Sequence, residues 1–199
     1  MRNARRMLML IVSAVAASAL WGAAVAQANG PEWYVGGEKL EHSMETEFEG
    51  ELRFQGPFGM GPCEVRLEGV LENKSGHAAG LITGGEVLTH PCATTLAGCT
   101  IEAGLYDFYW NISADATGVS IANTKFVNTW SEYCRLLYGF PETWTWGGTL
   151  KTPTFNNAEG CLEYENAGNL AQIPNGYKVT TTGMLCAYNM EGEGSITLK

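Results

Sequence analysis

The stretch METEFEGELRF, residues 44–54, alternates between two kinds of side chain. Every second residue from Glu45 to Arg53 is charged, whereas Phe48 and Leu52 lie among the intervening positions. A period of two is that of a β-strand with one face against a core and the other in water. The stretch therefore predicts a half-buried antiparallel strand.

The acidic row of this strand has three interpretations, namely a cation site, an acid–base pair or a solvated face. Side chains at i and i+2 on a strand lie about 6.5–7 Å apart, which is too far to share a small cation. A calcium site needs about 6–8 converging oxygens, and the chain has no Asp-x-Asp-x-Asp-Gly loop. We therefore predict that Glu45, Glu47, Glu49 and Glu51 form the wet face of the strand, with no metal site and no cofactor.

The same period recurs along the chain and predicts an all-β domain of about nine short antiparallel strands. The predicted strands cover residues 44–54, 63–72, 80–88, 105–113, 119–130, 142–151, 161–165, 177–188 and 190–198. Without crossover helices, such strands bury their apolar faces in a sandwich or in a closed barrel. A glycine stands two residues before a large aliphatic residue in several strands, as in Gly50-x-Leu52 and Gly183-x-Leu185, and this pattern favours strong curvature.

The first two predicted strands form a hairpin whose register can be stated. With residues 55–62 as the connection, Phe54 lies opposite Cys63, and Arg53 lies opposite Glu64. The same register places Glu51 opposite Arg66, so that two opposite-charge pairs partly neutralise the wet face.

The N-terminal residues 1–28 are typical of a signal peptide. Arg2, Arg5 and Arg6 precede a long apolar run that ends in Ala26-Gln27-Ala28. A retained membrane anchor is the alternative, because the run is nearly long enough to span a bilayer. We predict export, with residues 29–199 as a single secreted or cell-surface domain and no later transmembrane segment.

The predicted mature chain is acidic. The sequence has 12 Lys and Arg against 21 Asp and Glu, and three of the basic residues fall in the first 28 positions. The nine remaining basic residues leave a net charge of −12, which argues against nucleic acid and anionic lipid as partners. The expected partner is an extracellular ligand or protein.

Six cysteines all follow the predicted cleavage site, and an even count in an exported chain indicates three disulfides. A zinc site is the competing interpretation, but the chain has no Cys-x-x-Cys pair, and His90-Pro91-Cys92 is isolated. Among the 15 possible connectivities, short closures between hairpin-connected strands favour pairing in sequence order. The predicted pairs are Cys63 with Cys92, Cys99 with Cys134, and Cys161 with Cys186.

Several segments follow one another in a characteristic order: Trp33-x-Val35-x-Gly37, CEVRLEGVL from residue 63, CTIE from residue 99, GVSIANTKF from residue 118, WGGTL from residue 146 and MEGEGSITL from residue 190. Over most of residues 33–198, this order resembles a group of uncharacterised secreted six-cysteine β-proteins of actinobacteria. That group has Leu-Pro-Trp where this chain has Asp107-Phe108-Tyr109-Trp110, so only Trp110 matches. The resemblance implies an exported, disulfide-bridged β-domain and no particular activity.

Two functions from different classes remain open. The chain has few residues of the types that often act in catalysis, with three histidines and two aspartates. It also has no Gly-x-Ser-x-Gly or His-Glu-x-x-His motif. We therefore expect a non-catalytic binding or surface-structural domain, with a hydrolase that acts on an extracellular polymer through a glutamate pair as the alternative. Trp144 and Trp146 share a strand face with Leu150, which predicts that both are buried.

Exposed tyrosines are the candidate contact residues, because a tyrosine ring can stack on a sugar or pack against a partner protein. In the strand predicted for residues 105–113, Tyr106, Phe108 and Trp110 share the inner face, so Tyr109 is expected to point outward. Tyr133 and Tyr138 are predicted to lie in loops. The glycosylation sequons at Asn73 and Asn111 are interpreted as turn and strand residues.

Overall fold

A computed structural model describes residues 30–56, 61–152, 154–173, 175–192 and 194–199, with the backbone alone for residues 166–169. The predicted signal peptide, residues 1–28, lies outside the described residues. Among the residues that are described, no helix is long and apolar enough to span a bilayer.

The described chain forms thirteen strands and one short helix. The strands are β1 (Trp33–Val35), β2 (Glu38–Lys39), β3 (Met44–Gln55), β4 (Pro62–Lys74), β5 (His77–Val87), β6 (Ile101–Leu105), β7 (Trp110–Asp115), β8 (Gly118–Trp130), β9 (Thr143–Thr152), β10 (Thr154–Asn156), β11 (Cys161–Ile173), β12 (Lys178–Asn189) and β13 (Ile196–Leu198). The helix α1 (Glu132–Tyr138) lies between β8 and β9.

Eight of these strands close into an antiparallel barrel in chain order. β3 pairs with β4, β4 with β5, β5 with β7 and β7 with β8. β8 then pairs with β9, β9 with β11 and β11 with β12, and β12 returns to β3. The predicted all-β fold is confirmed, and of the two predicted architectures the barrel is the one that forms. A closed ring needs no free edge strands.

The two ends of the barrel differ. Short turns at residues 75–76, 116–117 and 157–160 lie at one end, which we call the turn end. Longer connections at residues 88–100 and 131–142 lie at the other, the loop end. A small sheet of β13, β1 and β2 lies beside the turn end, where the main-chain N–H of Ala78 donates to Pro31 at 2.6 Å.

The barrel interior is filled by alternate side chains from each strand. In β3, Phe48 and Leu52 are completely buried. Trp144, Trp146 and Leu150 of β9 are buried as predicted. Aromatic rings also contact one another across strands, since Phe54 of β3 packs edge-on to Phe126 of β8 with 5.0 Å between ring centroids. The interior is therefore a packed core.

The predicted hairpin of the first two strands is confirmed, but its register is wrong by two residues. Leu52 lies opposite Cys63, and Arg53 lies opposite Pro62. Glu49 faces Arg66, whereas the prediction placed Glu51 there. A shift of two residues leaves each side chain on its predicted face and changes only its partners.

The closed, curved sheet confirms the predicted curvature, and glycines in its wall allow neighbouring strands to approach closely. A Cβ atom added at Gly50 would collide with the main-chain oxygen of Met184 on β12. A Cβ at Gly183 would collide in the same way with Glu51 on β3. These two glycines therefore allow β3 and β12 to approach each other closely.

The single strand predicted for residues 105–113 is wrong, because the chain breaks there into β6 and β7. The break spans four residues, of which Asp107 has φ of 48° and Tyr109 has φ of 78°. For a residue other than glycine, a positive φ lies outside the extended conformation of a regular strand. Elsewhere β11 is longer than predicted, running from Cys161 to Ile173, and the last strand is restricted to Ile196–Leu198.

The helix α1 was not predicted, since seven residues are too few to show a helical period. It ends at Gly139, whose left-handed conformation lets its N–H donate to Arg135 at 3.0 Å. Cys134, the buried residue of α1, is tied by a disulfide to Cys99. Tertiary attachment rather than intrinsic propensity thus stabilises this short element.

All six cysteines are paired, and the three disulfides are those predicted: Cys63–Cys92, Cys99–Cys134 and Cys161–Cys186. The first two fasten the connections of the loop end to β4 and α1. The third joins directly opposite residues of β11 and β12.

Candidate binding surface on the barrel wall

The acidic row of β3 lies on the outer wall of the barrel, as predicted. Glu45 and Glu51 are exposed, and Glu47 and Glu49 are half-buried. Arg66 on the neighbouring strand β4 partly neutralises the row. Its guanidinium nitrogens lie 3.4 Å from a carboxylate oxygen of Glu47, 3.5 Å from one of Glu49 and 3.3 Å from one of Glu86. These glutamates lie on the two adjacent strands, β3 and β5.

An open depression of about 240 Å³ on this wall is lined in part by Glu45, Glu47 and Glu68. Glu47 and Glu68 are directly opposite each other. A general acid works best in an enclosed, apolar setting that keeps it protonated at neutral pH, whereas Glu45 and Glu68 are exposed to water. No cluster of three or more metal-binding side chains occurs among the described residues. The arrangement is that of a solvated charged face.

The three candidate tyrosines lie on two separate surfaces. Tyr133 and Tyr138 are on α1 at the loop end, with 55% and 41% of their surface exposed. They were predicted to lie in loops, and the structure corrects this because both fall within the helix. Tyr109 lies instead on the barrel wall, between β6 and β7, and is 69% exposed.

Tyr138 is anchored to the aromatic core of the loop end. Its ring stacks on Phe140 with 5.4 Å between centroids. Phe140 in turn contacts Trp130 and Trp144, at 4.7 and 5.1 Å. Part of the surface of Tyr138 is therefore used to hold α1 on the barrel.

Tyr109 belongs to a four-residue break in the wall, residues 106–109, which we call the wall break. Its backbone is fixed at both ends, because the Tyr106 N–H donates to Lys125 at 3.1 Å and the Tyr109 N–H donates to Ile82 at 3.0 Å. Phe108 packs on Trp110 at 5.3 Å. This apolar pair holds the break against the core.

The two tyrosines of the wall break point outward. Tyr106 is 51% exposed, and its ring lies over Gly104, where an added Cβ would approach the ring to 2.8 Å. Tyr106 was predicted to share the inner face with Trp110, and this is wrong because the reversed backbone at Asp107 turns the side chain out. Asp107 forms an ion pair with Lys125 across the break.

Strained backbone is concentrated at this part of the wall. Among the described residues, four that are not glycine have positive φ, and Asp107, Tyr109 and Asn123 are three of them. Asn123 lies in a bulge of β8, between the pairs Ile121–Leu150 and Thr124–Gly148, and thus beside the wall break. Such conformations cost about 1–3 kcal/mol each and occur often at functional sites.

Tyr109 is unusual even among strained residues. At eleven described positions with positive φ the chain uses glycine, which adopts this conformation freely. At position 109 it uses a bulky residue whose ring is largely in water and adds little to the core. Folding alone thus gives no reason for a tyrosine at this position.

A group of charged residues lies at the turn end of β7, β8 and β9. Asp115 accepts a hydrogen bond from the hydroxyl of Thr117, which lowers the pKa of this carboxyl below its ordinary value. The Lys151 ammonium donates to the same hydroxyl at 2.7 Å. Together with the Asp107–Lys125 pair, these contacts leave this part of the wall with balanced charge.

Comparison with known proteins gave no family model that matches the chain, no similar curated protein and no similar solved structure. The candidate surface therefore depends on its own geometry. Of its members, Tyr109 was found from the sequence, whereas Tyr106, Asn123 and Lys125 were not. The close spacing of two tyrosines in YDFYW was the available signal.

Proposed function

We propose that this protein is an exported, non-catalytic domain that binds an extracellular polymer, and that Tyr106 and Tyr109 of the wall break are its main contact residues. The export part of the proposal rests on the signal-peptide pattern of residues 1–28. The three disulfides support it, since such bonds persist in oxidising compartments.

One observation carries the binding part of the proposal. Tyr109 combines high exposure with a strained backbone, so it lowers the stability of the fold and contributes little packing in return. Natural proteins keep such costs mainly where function needs them. A tyrosine ring offers a flat apolar face together with a hydroxyl, a combination suited to stacking on a ligand and hydrogen-bonding to it.

The shape of the surface favours a polymer over a small molecule. Small-molecule sites are concave and enclose most of their ligand. The wall break lies on the convex outside of the barrel, and the open depressions at β3–β5, at Cys92–Cys99 and at β2 do not include Tyr109. An extended chain can lie across such a surface, and sugar rings present the flat faces that a tyrosine matches.

The test is affinity electrophoresis of the mature protein through gels that contain soluble polysaccharides. We expect at least one polysaccharide to retard the wild type. Replacing Tyr109 by alanine keeps the strained backbone and removes the ring, so it should weaken binding by roughly tenfold, equivalent to about 1.4 kcal/mol. Tyr188→Ala is the matched control, since Tyr188 is also about half exposed but lies on β12 beside the outer face of β3, β4 and β5 that carries the acidic row, which we call the acidic wall.

Retardation that is equal for the wild type and Tyr109→Ala would contradict the proposed surface. Loss of retardation in Tyr188→Ala but not in Tyr109→Ala would move the binding surface to the acidic wall. A wild type that no polysaccharide retards would reject the proposal of polysaccharide binding.

A further inference from the structure

We infer that the ligand is an uncharged polysaccharide, and that it extends from the wall break along the outer face of β7, β8 and β9. This inference rests on the proposed function and specifies the ligand class and the remaining contacts. It follows from the side chains that continue the surface beyond Tyr109.

The outward residues of these three strands are mostly hydroxyl and amide side chains, and we call them the neutral strip. Ile112 and Ala114 of β7 are buried, so the alternating Asn111 and Ser113 point outward and are exposed. By the same alternation Ser120 of β8 and Thr149 of β9 face outward. The members of the neutral strip are Asn111, Ser113, Ser120, Asn123 and Thr149.

The strand register makes the neutral strip continuous with the wall break. Ser113 lies opposite Ser120, and Ser120 lies opposite Lys151, so one row crosses all three strands. Asn111 of β7 follows Tyr109 by two residues. From Tyr109 to Ser113 the chain advances by about 13 Å at 3.3 Å per residue, which gives room for more than one sugar ring.

The charges of the barrel surface decide the class of polysaccharide. Beside the neutral strip, Lys125 is paired with Asp107, and Lys151 is linked to Asp115 through Thr117. Among the described residues of this surface, each lysine thus has an acidic counterpart, and the net charge of the whole sequence is −9. Long-range repulsion therefore opposes anionic polymers.

A cationic polymer would be drawn to a different surface. The wall formed by β3, β4 and β5 carries the glutamates of the acidic row together with Glu64, Glu68 and Glu86, against Arg53 and Arg66. Cations are attracted to this wall, away from Tyr109. An uncharged chain is neither repelled by the net charge of the protein nor attracted to the glutamates of this wall. Stacking on tyrosine and hydrogen bonds to hydroxyl and amide groups therefore select its position.

The experiment compares three kinds of polysaccharide by affinity electrophoresis of the mature protein. The neutral probes are dextran, laminarin and galactomannan, the anionic probe is alginate, and the cationic probe is chitosan. We expect retardation by at least one neutral probe, with little change between low and high sodium chloride because no ion pairs form. Asn111→Ala and Ser113→Ala should each weaken this binding by about 2- to 10-fold, and Asn175→Ala in the exposed β11–β12 turn should not.

The outcomes separate this inference from the proposed function. Retardation by alginate or chitosan alone, lost in Tyr109→Ala, would keep the proposed function and overturn the neutral ligand. Retardation by a neutral probe that depends on Tyr109 but not on Asn111 or Ser113 would overturn the neutral strip. No retardation by any of the five probes would overturn both.

Discussion

Asn73 holds the first strand against the barrel through three hydrogen bonds. Its Oδ1 accepts from the Trp33 N–H at 2.7 Å, and its Nδ2 donates to the main-chain oxygens of Trp33 and Leu40 at 2.9 and 3.0 Å. The side-chain amide of this glycosylation sequon therefore forms hydrogen bonds within the fold.

Replacing Asn73 by alanine should lower the free energy of unfolding by about 2–3 kcal/mol, because three partly buried hydrogen bonds are lost at about 1 kcal/mol each. Urea denaturation measures the change. Asn175→Ala, in an exposed turn, should leave the unfolding midpoint within error. If both variants lose equal stability, the assigned role of Asn73 is incorrect.

Tyr164 provides a pH-dependent prediction. Its side chain is buried in the core, and desolvation raises the pKa of its phenol well above its ordinary value. In the unfolded chain the phenol ionises near pH 10. Because the folded state holds the proton more tightly, stability is fully present below about pH 10 and falls as the pH rises above it.

Tyr164→Phe should reduce this alkaline loss of stability. At neutral pH it should be neutral or slightly stabilising, since the Tyr164 hydroxyl is buried without a hydrogen-bond partner in the described structure. Thermal melts between about pH 8 and 11 test this prediction, with Tyr188→Phe as the exposed control. A large loss at neutral pH would show that the Tyr164 hydroxyl has a structural role.

At the residue scale the sequence predicted which side chains are buried better than it predicted which are strained. Alternation placed Phe48 and Trp144 on their correct faces, since side-chain direction follows directly from the period of a strand. It failed at Tyr106, because the positive φ at Asp107 depends on tertiary contacts such as the bond to Lys125.

At the element scale the close approach of β3 and β12 gives a sharp test. A methyl group at Gly183 would meet the Glu51 carbonyl oxygen, and the residue has φ of 128°. Gly183→Ala should therefore destabilise the protein by about 3 kcal/mol or more, through overpacking and backbone strain.

Gly192→Ala is the matched control for this prediction, because nothing lies within 4 Å of its added Cβ. Guanidinium denaturation of the two variants gives the comparison. An unfolding free energy of Gly183→Ala close to that of the wild type would mean that β3 and β12 are farther apart than described.

The hairpin of β3 and β4 shows why elements are easier to predict than their registers. The faces were correct because burial of Phe48 and Leu52 stabilises the hairpin more than its surface charge pairs do. The partners were wrong because a shift of two residues keeps those faces, and cross-strand charge pairs contribute only about 0.2–1 kcal/mol each. Arg66 bridges Glu47, Glu49 and Glu86 in place of the predicted pair with Glu51.

At the scale of the whole molecule, closure of the barrel could not be read from the sequence. β12 pairs with β3, although the two strands are more than 100 residues apart in the sequence, and no local sequence pattern predicts this pairing. The disulfides were predictable because each joins cysteines 25 to 35 residues apart, in sequence order. The all-β class and the curvature followed from local alternation and glycine positions, but the strand count did not, since about nine strands were predicted and thirteen are described.

The acidic wall makes a prediction about the whole protein. Because its glutamates are solvated and spread over three strands, they should bind cations only weakly and diffusely. Millimolar calcium chloride should leave the melting temperature nearly unchanged. A rise of many degrees that a chelator reverses would show a specific calcium site and reopen the function of the row from Glu45 to Glu51.

The central claim is that Tyr109 is kept on the wall break for contact and not for folding. The free energy of unfolding of Tyr109→Gly tests it most directly and needs no ligand. Glycine relieves the positive φ, so we predict stability equal to the wild type or higher by up to about 1 kcal/mol. A loss of more than about 1 kcal/mol would show that the ring supports the fold, and would contradict the claim.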